Sequence, residues 1–225
     1  MYFVFSFFIS LVLYFLIVKY MSNIDEGYIK YYCQWENKSA IVPGDITELN
    51  RWRTKLYQLG LVGEYDNGIG FGNLSIRIPH SNNLIISGTQ TGGIAELTLQ
   101  HYTKVTDYDW QQNYVVCEGL VKASSETLTH CAIYTALPQI NAVVHIHHGK
   151  LWHKLRDLLP TTNPSCAYGT PEMAEEIIKL CQQPETLKEK IIIMSGHEEG
   201  ILTFGNTAEE AVNILLKQYQ QLNEA

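Results

Sequence analysis

The apolar positions of this chain fall into helical and extended rhythms from about residue 45 onward. Leu49, Trp52, Leu56 and Leu59 recur at the spacing of one helix face. Asp45 followed by Glu48 supplies a start of the capping-box type, and Gly60 a stop. Asn73–Ile78 and Leu84–Ser87 read as two short strands joined by the turn-rich Pro79-His80-Ser81-Asn82-Asn83, which predicts a hairpin. Ser125–Leu137 reads as a helix, Ala142–His147 as a strand leaving the core, and Thr170-Pro171 as the opening of a helix that carries Met173, Ile177, Ile178 and Cys181. Ile191–Met194 is a continuous apolar run suited to a strand buried on both faces. A last helix opens at Thr207, with Glu210 as its capping partner, and runs toward Leu222. This alternation predicts layers of helices around a mixed sheet.

The first twenty residues follow another rule. Met1–Val18 contains no charged side chain, and five of the seven Phe lie there: Phe3, Phe5, Phe7, Phe8 and Phe15. Such a run is near the minimum of about 18 residues that spans a bilayer as a helix. It lacks the basic start and small-residue cleavage site of a signal peptide. Three readings stand: a membrane anchor, a buried helix, or an extension translated upstream of a true start at Met21. The last is preferred, with the anchor next. The chain therefore divides into an apolar segment, 1–20, and one domain, 21–225.

Composition removes several function classes. With 46% hydrophobic and 17% charged residues the chain is that of a globular protein. Its 23 acidic and 16 basic residues leave a net charge of −7, and no Lys/Arg stripe is present to follow a nucleic acid. The five cysteines (Cys33, Cys117, Cys131, Cys166, Cys181) are odd in number and scattered, so a reducing compartment fits and each is expected to serve as a small buried hydrophobe.

Chemistry concentrates in histidines. In His145-Ile146-His147-His148 the alternation of a strand puts His145 and His147 on one face, close enough to share a metal ion. Two imidazoles on a rigid strand leave room for a third ligand and for substrate, the pattern of a catalytic site. An isolated pair of this kind more often makes ordinary hydrogen bonds. His197, in the loop Ser195–Gly200 after the apolar strand, is the best third ligand, though a loop histidine by itself is a surface residue. His80, His101 and His153 read as surface residues. His130 shares a helix face with Glu126 and is either a partner of the site or a structural histidine. Glu126, after Ser124-Ser125 at a helix start, is the acid/base candidate; its plainer role is to complement the helix dipole. Gly72-Asn73-Leu74-Ser75 and Ser87–Gly93 offer small residues and hydroxyls able to hold an anion, as turns also do.

Taken in order, Gly-Asn-x-Ser-x-Arg (72–77), Ser-Ser-Glu-x-x-x-His (124–130), Ala-Val-Val-His-x-His (142–147), Tyr-Gly-Thr-x-Glu-Met-Ala (168–174) and Gly-His (196–197) resemble the class II aldolase/adducin family over roughly Asp45–Gln221. The resemblance implies a three-layer α/β/α sandwich with a central mixed, largely antiparallel sheet, as a cytoplasmic homotetramer. It implies zinc, or manganese, cobalt or iron, on His145, His147 and His197, with Glu126 as acid/base. Asn73, Ser124 and Ser125 match phosphate-binding positions, and Ser87 and Gly88 stand where the family has a shorter phosphate loop. The implied activity is aldol cleavage of a sugar phosphate or related hydroxy-ketone through a metal-stabilised enediolate. A sugar-phosphate epimerase or dehydratase on the same scaffold, or a non-catalytic adducin-like binding module, are the alternatives. Tyr219 is the tyrosine available as proton donor to a leaving aldehyde. Two departures flank the expected pocket: Glu198-Glu199 follows His197 where the family has Gly, and the 87–93 loop is expanded.

Overall fold

The computed structural model describes residues 27–41 and 43–224; the apolar segment 1–20 lies outside them. Eight strands form one sheet in the order β1-β7-β6-β5-β4-β8-β10-β9. The ranges are β1 Tyr32–Asn37, β4 Asn73–Arg77, β5 Leu84–Ser87, β6 Tyr102–Asp109, β7 Tyr114–Gly119, β8 Ala142–His147, β9 Ile191–Ile193 and β10 Gly200–Gly205. The β1–β7 pair is parallel and the other pairs are antiparallel, so the sheet is mixed and largely antiparallel. A small ribbon, β2 (Gly63–Glu64) with β3 (Gly70–Phe71), stands apart from it.

Helices cover both faces. Side chains alternate across each strand, so one set faces α2 (Thr127–Ala136) and α4 (Pro171–Cys181). Leu84, Ile86, Val143, Ile192, Leu202 and Phe204 belong to this first core. The alternate set, Leu74, Ile85, Val144, Ile146, Ile193 and Ile201, packs on α1 (Pro43–Gln58), α3 (Gly149–Leu155) and α6 (Ala208–Asn223). A short α5 (Pro184–Glu189) links α4 to β9. The expected three-layer α/β/α architecture is the observed one.

Local signals account for several boundaries. Thr170 caps α4 by accepting from Met173 N, with Pro171 in the first turn. Thr207 caps α6 by accepting from Glu210 N, while the Glu210 carboxylate accepts from Asn206 N, one residue before the cap. The β4–β5 hairpin forms with Ser75 opposite Ile86 and Arg77 opposite Leu84. Other expectations shift. Helix α1 begins at Pro43, so Asp45 lies inside the helix rather than at its cap. Leu49, Trp52 and Leu56 are buried, but Leu59 falls beyond the last turn and is 36% exposed. Helix α2 starts at Thr127, with Glu126 at the cap position and Ser125 outside. Between α1 and α2 no further α-helix intervenes: strands β2 to β7 follow one another with a single 3-10 turn, Leu99–His101.

All five cysteines are free; Cys117, Cys131 and Cys181 are buried, while Cys33 and Cys166 are partly exposed. Among the described residues no helix is long and apolar enough to cross a membrane.

Candidate metal centre and active site

The centre of the sheet carries the chemistry. Strand β8 lies between β4 and β10, with Asn73 directly opposite His145 and Gly200 opposite His147. Ala142, Val144 and Ile146 point to the α6 side, so His145 and His147 emerge toward α2 and α4, as the alternation requires. His197 arrives from the turn after β9, where His197 N donates to Met194 O and Gly200 N to His197 O. The potential ligand atoms of His145, His147 and His197 all lie within 4.8 Å of one another, and all three residues are buried.

Burial and the neighbouring imidazoles of His147 and His197 hold His145 well below the usual histidine range, so it is neutral near pH 7. Its Nδ1 lies 3.3 Å from Ile201 O and donates to it, which leaves Nε2 as a lone-pair donor. That Nε2 stands 3.1 Å from His147 Nε2. Imidazole nitrogens converging from a rigid strand and one loop suit a divalent cation with an open coordination position. The residues fit a metal.

Two glycines make the convergence possible. A Cβ at Gly200 would lie 3.2 Å from both His145 Cε1 and His197 Cγ, and one at Gly196 would lie 1.8 Å from Cys166 O. Behind His197 the Tyr168 ring stacks at 4.6 Å, and Lys30 Nζ lies over the same ring, 3.7 Å from its centroid.

Glu126 is 2% exposed, and its Oε1 is 3.8 Å from His197 Nδ1. With His145 it lines a narrow cleft whose remaining walls are mostly small and polar, including Asn73, Gly88, Thr89, Thr91, Ser124 and Ser125. Asn73 Oδ1 is buried without a hydrogen-bond partner, so the amide has unused capacity toward the cleft. Ser124 Oγ accepts from Glu126 N and so fixes the acid's backbone. Ser87 is placed differently: its hydroxyl accepts from Leu74 N at the end of β5, and it does not line the cleft.

His130 is fully buried, and burial pushes its imidazole down to about 3. Its Nδ1 meets Ser75 Oγ at 2.7 Å, and that hydroxyl meets Tyr134 OH at 2.8 Å, tying α2 to β4. His148 caps α3 by accepting from Leu151 N. Tyr219 meets the edge of the His148 ring and does not line the cleft. His80 is exposed, in the β4–β5 turn, and His101 closes the 3-10 turn with Thr98.

Two participants, Arg53 and Tyr65, escaped the sequence reading, and Glu199 was legible only as a departure flanking the pocket. Arg53 is 1% exposed and donates to the carbonyls of Thr91, Gly92, Ile94 and Ala95, which pins the loop along the cleft. Its position four residues after Leu49, on the apolar face of α1, was the available signal. Tyr65 and Glu199 reach His147 from the ribbon and from the His197 turn.

The model of the class II aldolase and adducin N-terminal domain matches residues 54–217. The chain belongs to the class II aldolase/adducin family. Solved structures share its fold. An L-fuculose 1-phosphate aldolase superposes with a TM-score of 0.61 at 21% identity, over 83% of this chain and 86% of that one. A sugar-phosphate aldolase of Thermotoga maritima gives 0.59 at 17%, over 80% and 94%. YgbL of Klebsiella pneumoniae, a candidate aldolase/epimerase/decarboxylase, gives 0.60 at 20%, over 80% and 87%. Family membership accounts for the five ordered motifs, each of which contributes a residue at or beside the centre.

Proposed function

We propose that the protein is a metal-dependent lyase that cleaves a carbon–carbon bond in a sugar phosphate or related hydroxy-ketone. The observation that carries this reading is the convergence of three buried histidines within 4.8 Å beside a buried glutamate at the edge of a polar cleft. An adducin-like binding module has no use for such a set, since burying polar groups without a function only costs stability.

His145, His147 and His197 would hold the ion; zinc is the first choice for nitrogen donors, with manganese, cobalt and iron as alternatives. Such an ion acts as a Lewis acid on the substrate carbonyl and stabilises the negative charge that develops as the bond breaks. The chain's own residues do the rest. Glu126 moves the proton on the substrate carbon, and its buried position protects that proton from exchange with bulk water. Asn73, Ser124, Ser125 and Gly88 bind the phosphate or hydroxyl groups of the substrate through side-chain and backbone donors, because the cleft has few positive charges. Ser87 serves this set indirectly, by holding β4 to the end of β5. We assign this activity to one domain, residues 21–225, in a cytoplasmic homotetramer; light scattering of the purified chain measures the assembly.

Metal content tests the reading directly. The chain purified without chelators should carry about one divalent ion per subunit, and a His145→Ala/His147→Ala double variant should carry none. The loaded protein should release an aldehyde from some members of a panel of ketose phosphates. A metal-free chain that takes up no ion on reconstitution refutes the enzyme reading. Inversion at a carbinol carbon, or loss of water, without carbon–carbon cleavage would move it to an epimerase or a dehydratase.

A further inference from the structure

Glu199 occupies a costly position. Its φ is +66°, in the left-handed region that favours glycine. A non-glycine residue held there is strained, and such residues gather at functional sites. Its side chain shows a use for that strain. Glu199 Oε2 accepts a hydrogen bond of 2.8 Å from the Tyr65 hydroxyl, and the same Tyr65 oxygen is 2.8 Å from His147 Nδ1.

The protons can be assigned from donor capacity alone. A carboxylate only accepts, so the one hydroxyl hydrogen of Tyr65 goes to Glu199. Tyr65 oxygen must then accept, and His147 Nδ1–H is the donor. With Nδ1 protonated, Nε2 of His147 carries the lone pair, and it faces the Nε2 of His145 at 3.1 Å. Two lone pairs at that distance repel unless a cation lies between them.

We propose that Tyr65 and Glu199 are positioning residues that fix the tautomer and ring orientation of His147 for metal binding, an inference that rests on the metal-centre reading above. The surroundings are shaped for the relay. A Cβ at Gly149 would lie 2.7 Å from Glu199 Oε1, so the absence of a side chain there leaves space for the carboxylate. Phe71 packs against Tyr65 at 4.5 Å and against His147 at 5.6 Å. The hydroxyl is thus delivered by the β2–β3 ribbon, a piece of structure outside the main sheet. Outer partners of metal-bound histidines raise ligand basicity and hold the ring, and their loss typically weakens metal affinity 10–100-fold.

The test is a competition titration of the full chain with Zn²⁺ against a chromophoric chelator, repeated with Co²⁺, whose visible absorption reports the donor geometry. Tyr65→Phe and Glu199→Gly should each weaken Zn²⁺ binding by roughly 10–100-fold and alter the Co²⁺ spectrum. Glu199→Gln, which keeps an acceptor for the tyrosine, should lose less than tenfold and keep the spectrum. Tyr65→Phe/Glu199→Gly should bind no more weakly than Tyr65→Phe alone, because both act through one relay. Metal-free Glu199→Gly should melt close to the wild type, since glycine relieves the strained φ; a loss of metal affinity without loss of fold separates positioning from general stability. Should Tyr65→Phe not fold, the contrast between Glu199→Gly and Glu199→Gln decides. Variants that bind Zn²⁺ within twofold of the wild type overturn the relay while leaving the metal centre intact. A wild type that binds neither ion overturns the metal centre, and the relay with it.

Discussion

Replacing Gly196 by alanine tests whether packing behind the site, rather than the ligands alone, sets its geometry. The added Cβ would sit 1.8 Å from Cys166 O and 2.6 Å from Cys166 C, where about 3.0 Å is the closest that real Cβ atoms approach. One of the two segments must therefore retreat by ~1 Å, and neither is free to do so cheaply. Ser195 N is bonded to Thr162 Oγ1 at 2.9 Å, and Cys166 N to Asn163 O at 3.0 Å. The displaced segments carry His197 on one side and Tyr168, stacked on His197, on the other. Overpacking of this kind costs about 1–3 kcal/mol, which for a domain of this size lowers the melting temperature by about 2–4 °C per kcal/mol. The effect on metal should be larger than the effect on fold. Ligand distances tolerate only about ±0.2 Å, so a ~1 Å displacement takes His197 out of the donor set. Zinc affinity should fall by at least the ~10–100-fold that loss of an outer partner costs. Calorimetric melting of the metal-free protein and a zinc competition titration measure the two quantities. Gly60→Ala is the control: Gly60 has φ +70° and open space around its Cβ, so it should cost about 1–2 kcal/mol of strain and leave zinc affinity unchanged. Unchanged melting and zinc binding within twofold in Gly196→Ala would refute the reasoning.

Arg53→Ala should destabilise the fold by about 3 kcal/mol or more, since four loop carbonyls lose a charged donor; Arg53→Lys, lacking the planar fork, should recover only part of this, as urea unfolding will show. Glu126→Gln should keep its metal and lose about 10²–10⁴-fold in turnover, measured as aldehyde release; full activity would remove Glu126 from the mechanism. His130 has its folded pKa depressed to about 3 against an unfolded value near 6.5, so the unfolded state binds the extra proton below pH 6.5. Its contribution to stability is thus complete above that pH and falls by about 1.4 kcal/mol per unit as pH drops toward 3. Unfolding free energies of the wild type and His130→Asn, compared between pH 6.5 and 4.5, should converge at that rate on acidification, and parallel curves would contradict the assignment.

Features decided within a few residues were legible in the sequence. The period-2 placement of His145 and His147 needs nothing but strand geometry, and β8 has the predicted limits, Ala142–His147. The caps at Thr170 and Thr207 and the β4–β5 turn are likewise local. The unrecognised strands lack a clean rhythm. In β6 the register slips between Val105 and Asp107, so its apolar positions change phase midway. Strand β1 lies at the sheet edge, where Tyr32 is 72% exposed, and β10 is a six-residue run bounded by Gly200 and Gly205. The run of strands between α1 and α2 was legible only as its β4–β5 hairpin, because a succession of antiparallel strands needs only tight turns, and those turns use residues that also occur in loops.

The site divides along a similar line, and the division has a physical origin. Residues whose role follows from one element were visible: His145 and His147 from β8, and Glu126 from the start of α2. Residues whose role depends on closing a long loop were not. Tyr65 lies 82 positions from His147 and 134 from Glu199, and Arg53 lies 38 to 42 positions from the carbonyls it holds. In the sequence each is an ordinary polar residue beside a turn or on a helix. A buried charge is the exception that composition can flag: Arg53 shares its helix face with Leu49 and Leu56, where an unpaired guanidinium would be too costly to keep. Its presence on that face therefore requires several acceptors from elsewhere in the chain. Two of the acceptors, Thr91 and Gly92, lie in the loop along the cleft and the other two, Ile94 and Ala95, follow it directly, so α1 fastens one wall of the cleft in place.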